Sequence, residues 1–219
     1  MSLPRRLRRL TPPALRDDVR ARALAVGCGL IPPRTMHSDA DAAVLRAAAS
    51  GRRRAVEIGV YEGSSAVELC RVLAPSAELH LVDPFGAHAS ALPAGWGASE
   101  RATRRVVRRA VRRHAGPRVR WHVGFSADVA RGWPDPVDLV FVDGDHSKEG
   151  AATDWAAWSP LVVPGGAVVL HDARLSQPGG RGLPGPTAVA DRLFRGPDAL
   201  AGWRILTEDD RTIAVVRTA

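Results

Sequence analysis

The sequence predicts an α/β protein: one doubly wound, mostly parallel sheet of seven strands, ending in an antiparallel hairpin. Three observations carry this. Short apolar runs alternate five times with segments of helical period, the pattern of a sheet with helices on both faces. The run Val137 to Val142 is nearly continuous in apolar residues, as a strand buried on both faces should be. Near the C-terminus, two β patterns flank Glu208-Asp209-Asp210-Arg211, a hairpin signal.

Each element follows from its residues. Ser38-Asp39-Ala40-Asp41 offers a cap with acidic residues at a helix N-terminus, Ala42 to Ala49 continues in strong helix formers, and Ser50-Gly51 stops it. Arg54 to Gly59 is a first strand. Ser64 to Leu73 is a helix with Val67, Cys70 and Leu73 inward, and Leu79 to Val82 is a second strand ending at Asp83-Pro84, completing a βαβ unit. After a Gly/Ala/Pro loop from Gly86 to Gly97, Ser99 to His114 places Ala102, Val106, Val107, Ala110 and Val111 at helical spacing. Arg104, Arg105, Arg108, Arg109, Arg112 and Arg113 between them predict a solvated arginine face rather than an RNA-binding helix.

Gly116-Pro117 ends that helix, and Val119 to Val123 alternates as a third strand. Val137 to Val142 is the fourth, backed by a helix from Lys148 to Trp158 with Ala151, Ala152, Trp155 and Trp158 available for packing. Pro164-Gly165-Gly166 turns the chain into a strand at Ala167 to Leu170. A Gly/Pro-rich loop, Arg174 to Pro186, precedes a short helix from Thr187 to Arg195, and the hairpin strands are Trp203 to Thr207 and Thr212 to Arg217. Such a sheet holds its ligands beyond the carboxyl ends of its strands, near the switch in strand order.

Composition narrows the function classes. A chain of 219 residues suits one domain plus an extension: residues 1–36 as an N-terminal arm, a lid or a contact between copies in a homo-oligomer, and 37–219 as the folded domain. The net charge of +8 comes from 31 basic residues of which only Lys148 is lysine, a skew spread along the chain without a nucleic-acid motif. Two cysteines, Cys28 and Cys70, without C-x-x-C spacing, argue against a disulfide framework or zinc site and fit a reducing compartment. Pro4 to Arg9 looks like the start of an export signal, but prolines and charges follow, and the apolar run Ala23 to Ile31 is too short to span a bilayer. A cytoplasmic protein without a membrane segment is expected.

Two constellations carry chemistry. Gly59 and Gly63 lie where a strand turns into a helix; glycine there lets backbone approach a ligand, and the helix start presents unpaired N–H groups, with Ser64 and Ser65 adding hydroxyls. The G-x-x-x-G spacing is not the dinucleotide pattern, so the turn alone fits either a nucleotide-like ligand or a capped turn. Asp83, 26 residues after Glu57 and at the end of the second strand, suits ribose hydroxyls. The second constellation is Asp143-Gly144-Asp145-His146 with His171-Asp172, each at the end of a central strand, so that carboxylates and imidazoles converge in one crevice. A divalent cation held by Asp143, His171 and Asp172 is one reading. The other makes His146 or His171 a general base, since imidazole titrates near ~6.5. Trp96 and the 174–186 loop either shape a substrate pocket or are a core-packing side chain and a plain mobile loop.

In this order the motifs resemble class I S-adenosylmethionine-dependent methyltransferases, in particular the small-molecule O-methyltransferases of the catechol and macrolide-sugar type, over residues 38–219. Glu57-Ile58-Gly59-Val60-Tyr61-Glu62-Gly63-Ser64-Ser65 is similar to their first motif, Asp83-Pro84-Phe85 to the second, Gly124-Phe125-Ser126 to the adenine-side loop, and Phe141-Val142-Asp143-Gly144-Asp145-His146 to the fourth-strand motif. The resemblance implies a Rossmann-like fold, with Gly59, Tyr61, Gly63 and Ser65 around the methionine end of S-adenosylmethionine, Glu57 supporting them, Asp83 on the ribose, Ser126 near the adenine and Asp143 beside the cofactor. It implies methyl transfer to a hydroxyl oxygen of a sugar or phenol. In the metal-dependent relatives the ligands are an aspartate after the fourth strand and a pair after the fifth. Asp143 and Asp172 match, whereas His171 replaces an acidic residue, and imidazole suits transition metals better than Mg²⁺.

Other classes fit less well. A short-chain dehydrogenase needs a Tyr-x-x-x-Lys pair that the only tyrosine, Tyr61, and the only lysine cannot make. A nucleic-acid methyltransferase lacks its Asn-Pro-Pro-Tyr type motif here, and an acidic crevice repels phosphates. A non-catalytic protein binding a nucleotide-like ligand stays open as an alternative.

Overall fold

The structure is a computed structural model that describes residues 18–88 and 97–218. Residues 1–17 of the expected arm, Trp96 and most of its loop lie outside the described residues.

Along the chain run α1 (Val19–Cys28), α2 (Asp39–Ala49), β1 (Arg54–Ile58), α3 (Ser64–Val72), β2 (Glu78–Asp83), α4 (Glu100–His114), β3 (Arg118–Val123), α5 (Ser126–Arg131) and β4 (Val137–Val142). They are followed by α6 (Lys148–Trp158), β5 (Val162–Leu170), α7 (Pro184–Phe194), β6 (Trp203–Asp209) and β7 (Thr212–Arg217). The seven strands form one sheet in the order β3-β2-β1-β4-β5-β7-β6, with β1 to β5 mutually parallel. The order reverses between β1 and β4, which places the switch point at the carboxyl ends of those two strands.

Period-two alternation explains the two cores. Ala55, Leu79, Leu81, Leu139, Phe141 and Val169 face one side with α2, α3 and α4. Val56, Ile58, Val140, Val142, Val168 and Leu170 face the other with α5, α6 and α7. Branched residues buried on both faces make the central strands continuous apolar runs. Glu57 sits among them on the first face with no exposure at all.

Several local expectations shift. The terminal hairpin does not add its strands in chain order: β7 inserts between β5 and β6, antiparallel to both, so β6 forms the edge. Pro164-Gly165-Gly166 lies inside β5, where the β4–β5 register slips between Val137 and Leu139. A bulge absorbs the extra residues. Helix α7 begins at Pro184, because proline at the first helical position sacrifices no hydrogen bond. In α3 the buried face is Ser65, Ala66, Leu69 and Cys70, with Val67 only half-buried. The loop after β3 is the short helix α5.

Helix α1, within the arm, packs on α4. Its C-terminal carbonyls, on Val26 and Gly27, accept from the Arg109 guanidinium at 2.7 and 2.6 Å. A cation at a helix C-terminus satisfies orphan carbonyls and complements the helix dipole. Arg109 thus leaves the predicted solvated face, and Arg104 stacks over Trp121 at 4.7 Å. No described helix is long and apolar enough to cross a membrane.

Candidate active site

The site is built on three adjacent strand ends. Past β1, β4 and β5 the backbone ladder continues: Asp143 donates its N–H to the Ile58 carbonyl at 2.9 Å, and His171 to the Val142 carbonyl at 3.0 Å. Gly59, Asp143 and His171 therefore stand side by side. Gly59 has a φ of +83°, and a Cβ there would lie 2.1 Å from the Asp143 carbonyl oxygen. Only glycine permits that approach. Its partner is the neighbouring backbone, not a ligand alone.

The turn from Gly59 to Ser65 is held from several directions. Asp83 accepts from the Val60 and Tyr61 N–H groups at 2.8 and 2.9 Å through Oδ2, and from the Phe85 N–H at 2.6 Å through Oδ1. A carboxylate has about four acceptor positions, so one remains for a ligand hydroxyl. Ser65 donates its hydroxyl to Glu57 Oε1, while Glu57 Oε2 is buried without a partner among the described residues. Burial pushes the Glu57 carboxyl up to about 8, outweighing the Ser65 bond, with Asp143 and Asp83 adding repulsion. Gly63 precedes α3 with a φ of +86° and no side-chain cap, which leaves the first-turn N–H groups of that helix available.

Glu62, inside the same turn, has no role assigned from the sequence. It accepts two bonds from Arg22 of α1 at 2.6 and 2.7 Å, with both residues buried, and a third from the Arg34 N–H. The Arg34 guanidinium also donates to the Tyr61 hydroxyl at 2.9 Å. No local pattern foretells these bonds, since they span 40, 28 and 27 residues.

In the crevice, His146 Nε2 lies 3.1 Å from Asp143 Oδ1 and 3.7 Å from Asp172 Oδ2. Burial lowers the His146 imidazole, but the Asp143 hydrogen bond and the charges of Asp143, Asp172 and Asp145 prevail and raise it above its ordinary value. Asp172 is further paired with Arg211 at 2.9 Å. His171 is buried, its Nδ1 3.0 Å from the Thr212 hydroxyl and its Nε2 3.9 Å from Asp172 Oδ1. His37, missed in the sequence, belongs here too: burial and then His171 lower its imidazole, against Glu68, Asp143 and Asp41.

This arrangement does not fit the expected cation. An imidazole occupies the space between the two carboxylates, Arg211 already neutralises Asp172, and among the described residues no group of three ligating side chains could hold a metal. Mg²⁺ favours near-octahedral oxygen ligands, which Asp143, His171 and Asp172 do not supply.

Ser126 begins α5 and gives its hydroxyl to Asp154 of α6, whose carboxyl burial pushes up to about 6. Loop 174–186 is tied to the hairpin turn through Arg181 and Asp210, which meet twice at 2.6 Å. Away from these strand ends, Glu100, Arg101, Arg104, Arg105 and Arg108 line a surface hollow of about 410 Å³.

The architecture has solved counterparts. A cofactor-bound protein, Rv0187 from MTB, superposes with a TM-score of 0.61 at 20% identity, covering 100% of both chains. The O-methyltransferase TomG from Streptomyces achromogenes, involved in tomaymycin synthesis and solved with S-adenosylmethionine, gives 0.59 at 17% identity over 93% of this chain and 91% of its own. An O-methyltransferase from Bacillus cereus in complex with S-adenosylhomocysteine gives 0.55 at 17% identity over 95% and 93%. These share the fold. A family model described as a methyltransferase domain matches residues 56–173, from β1 through the glycine turn, Asp83 and Asp143 to the residue after Asp172, and the chain belongs to that methyltransferase family.

Proposed function

We propose that the protein transfers the methyl group of S-adenosylmethionine to a hydroxyl oxygen of a small molecule, a sugar or a phenol. The observation that carries the reading is the row Gly59, Asp143, His171, which sets the glycine turn directly beside the crevice of His146 and His171. The turn suits the cofactor: an uncapped helix start, a carboxylate at the end of β2 with an acceptor position to spare, and a buried Glu57 oxygen lacking a partner among the described residues. Its fold neighbours TomG and the Bacillus cereus enzyme hold S-adenosylmethionine and S-adenosylhomocysteine. Ser126, its proton committed to Asp154, would contribute to the adenine side through its backbone and remaining lone pair.

Bound S-adenosylmethionine supplies a methyl group on a positively charged sulfur. The protein aligns the acceptor oxygen with it and removes the hydroxyl proton, so positioning and a general base share the catalysis. Against burial, the hydrogen bond to Asp143 and the charges of Asp143 and Asp172 raise the His146 imidazole, and its protonated form would offset their charge. No step runs through a metal. Nucleic acid fits less well, because carboxylates at the crevice repel phosphates.

The test is release of S-adenosylhomocysteine from S-adenosylmethionine with a panel of catechols, phenols, sugars and a short RNA, with and without a strong chelator. Turnover dependent on a phenol or sugar and indifferent to chelation is expected. No calorimetric binding of S-adenosylmethionine would overturn the cofactor assignment. RNA-only turnover would overturn the acceptor class, and loss of turnover with chelator the metal-free mechanism.

A further inference from the structure

Beside the crevice lies a buried chain of polar groups, Asp41 and Thr212, that lies outside the glycine turn and ends on His171. Asp41, in the first turn of α2, is 2% exposed and accepts four hydrogen bonds. Oδ2 takes the Ser38 N–H and hydroxyl, both at 2.8 Å; Oδ1 takes the Arg211 N–H at 2.9 Å and the Thr212 hydroxyl at 2.8 Å. Two of those donors are backbone N–H groups, which can only donate, so Asp41 is an acceptor at both oxygens.

That fixes the next link. Thr212 has one hydroxyl proton, and it points to Asp41. Toward His171 the Thr212 oxygen offers a lone pair, so Nδ1 of the ring, 3.0 Å away, must carry the proton. A neutral ring has one N–H, and Nε2 is therefore the bare nitrogen. It is buried and has no hydrogen-bond partner among the described residues. Buried polar atoms are nearly always paired, and one left open beside a reaction crevice calls for a partner that arrives later. Asp172 Oδ1 lies 3.9 Å from it, beyond hydrogen-bond distance, and is turned to Arg211. The exposed end of the crevice is His146, whose side chain is 37% accessible.

We infer that Asp41 and Thr212 are positioning residues that lock His171 in the Nδ1–H form, leaving Nε2 to accept the proton of the acceptor hydroxyl. This rests on the methyl-transfer reading. The hydroxyl O–H bond breaks with its proton passing to Nε2. The oxygen pair forms the bond to the methyl carbon as the carbon–sulfur bond breaks, and that electron pair stays on sulfur. The imidazolium formed keeps its Nδ1–H on Thr212, whose own proton faces the Asp41 carboxylate, so the new charge meets an aligned dipole and an anion. His146 is the weaker candidate, since its Nε2 already serves two carboxylates.

The experiment uses the full chain labelled with ¹⁵N-histidine, in which ring-nitrogen shifts distinguish protonated from bare nitrogens. His171 is assigned by the signal lost in His171→Gln. At neutral pH, with S-adenosylhomocysteine bound, Nδ1 should be protonated and Nε2 bare. Thr212→Val should erase this preference and lower kcat with catechol about a hundredfold, within the range of general-base effects, while leaving KM for S-adenosylmethionine unchanged. Thr212→Ser should restore both. Asp41→Asn, which keeps the shape and loses the charge, should lower kcat similarly. A wild-type His171 with a bare Nδ1 overturns the inference whatever the kinetics, even if Thr212→Val fails to fold. So does full kcat in a folded Thr212→Val. A protonated Nδ1 in a protein that methylates no hydroxyl overturns instead the methyl-transfer reading on which the catalytic role depends.

Discussion

Replacing Glu57 by Gln should make the protein more stable, and increasingly so as the pH rises. Glu57 is fully buried in β1 with a carboxyl pushed up to about 8, from an ordinary value of 4.5. Between those values the unfolded chain releases a proton that the folded chain retains. A raised acid contributes fully below the unfolded pKa, and the contribution drains away as pH rises through the folded one. For the shift from 4.5 to about 8, linkage gives a loss of about 3 kcal/mol by pH 7 and nearly 5 well above pH 8. Glutamine mimics the protonated acid, accepts from Ser65 in the same way and has no proton to lose. The difference in unfolding free energy between Glu57→Gln and wild type, from urea melts, should therefore grow by about 3 kcal/mol between pH 5 and pH 8. Taking the difference cancels every other titrating group. A gap that stays constant across that range would show that Glu57 ionises in the folded state like an ordinary carboxylate, and the account of the buried strand charge would be wrong.

Two further outcomes follow from geometry. Gly59→Ala should destabilise the protein by at least about 3 kcal/mol, because its Cβ would sit 2.1 Å from the Asp143 carbonyl at a positive φ, whereas Gly51→Ala, with open space around it, should cost about 1 kcal/mol; urea unfolding compares them. His80, which burial and then His122 push down to about 4, is neutral in the fold. The unfolded ring protonates first as pH falls, so thermal stability should decline from pH 6.5 toward 4, and His80→Gln should flatten that decline in a melting series.

Sheet, helix order and strand ends were legible because they rest on local signals. Period-two burial, an Ala-rich helix closed by Ser50-Gly51 and the β-branched run Val137 to Val142 each declare themselves within a few residues. The Gly59, Asp83 and Asp143 positions were legible for the same reason: each ends a strand, and the doubly wound fold gathers strand ends. What stayed hidden was long-range pairing. Asp41 was recognised as a helix-cap acid, which its Oδ2 is, but its Oδ1 serves Thr212, 171 residues away. Spacing likewise cannot reveal that Arg211, from the hairpin turn, reaches Asp172 of the expected metal set, or that His146 lies between its carboxylates. Pro164-Gly165-Gly166 was misassigned since a turn signal and a bulge share the same residues.

The clamp between Arg22 and Glu62 joins a segment outside the sheet to the glycine turn proposed to hold the cofactor. Any free energy the arm lends to that loop must be returned, because linkage between two equilibria is reciprocal. A filled turn would then hold α1 down more firmly, and a sequence change in the arm would tune turnover without touching a reacting atom.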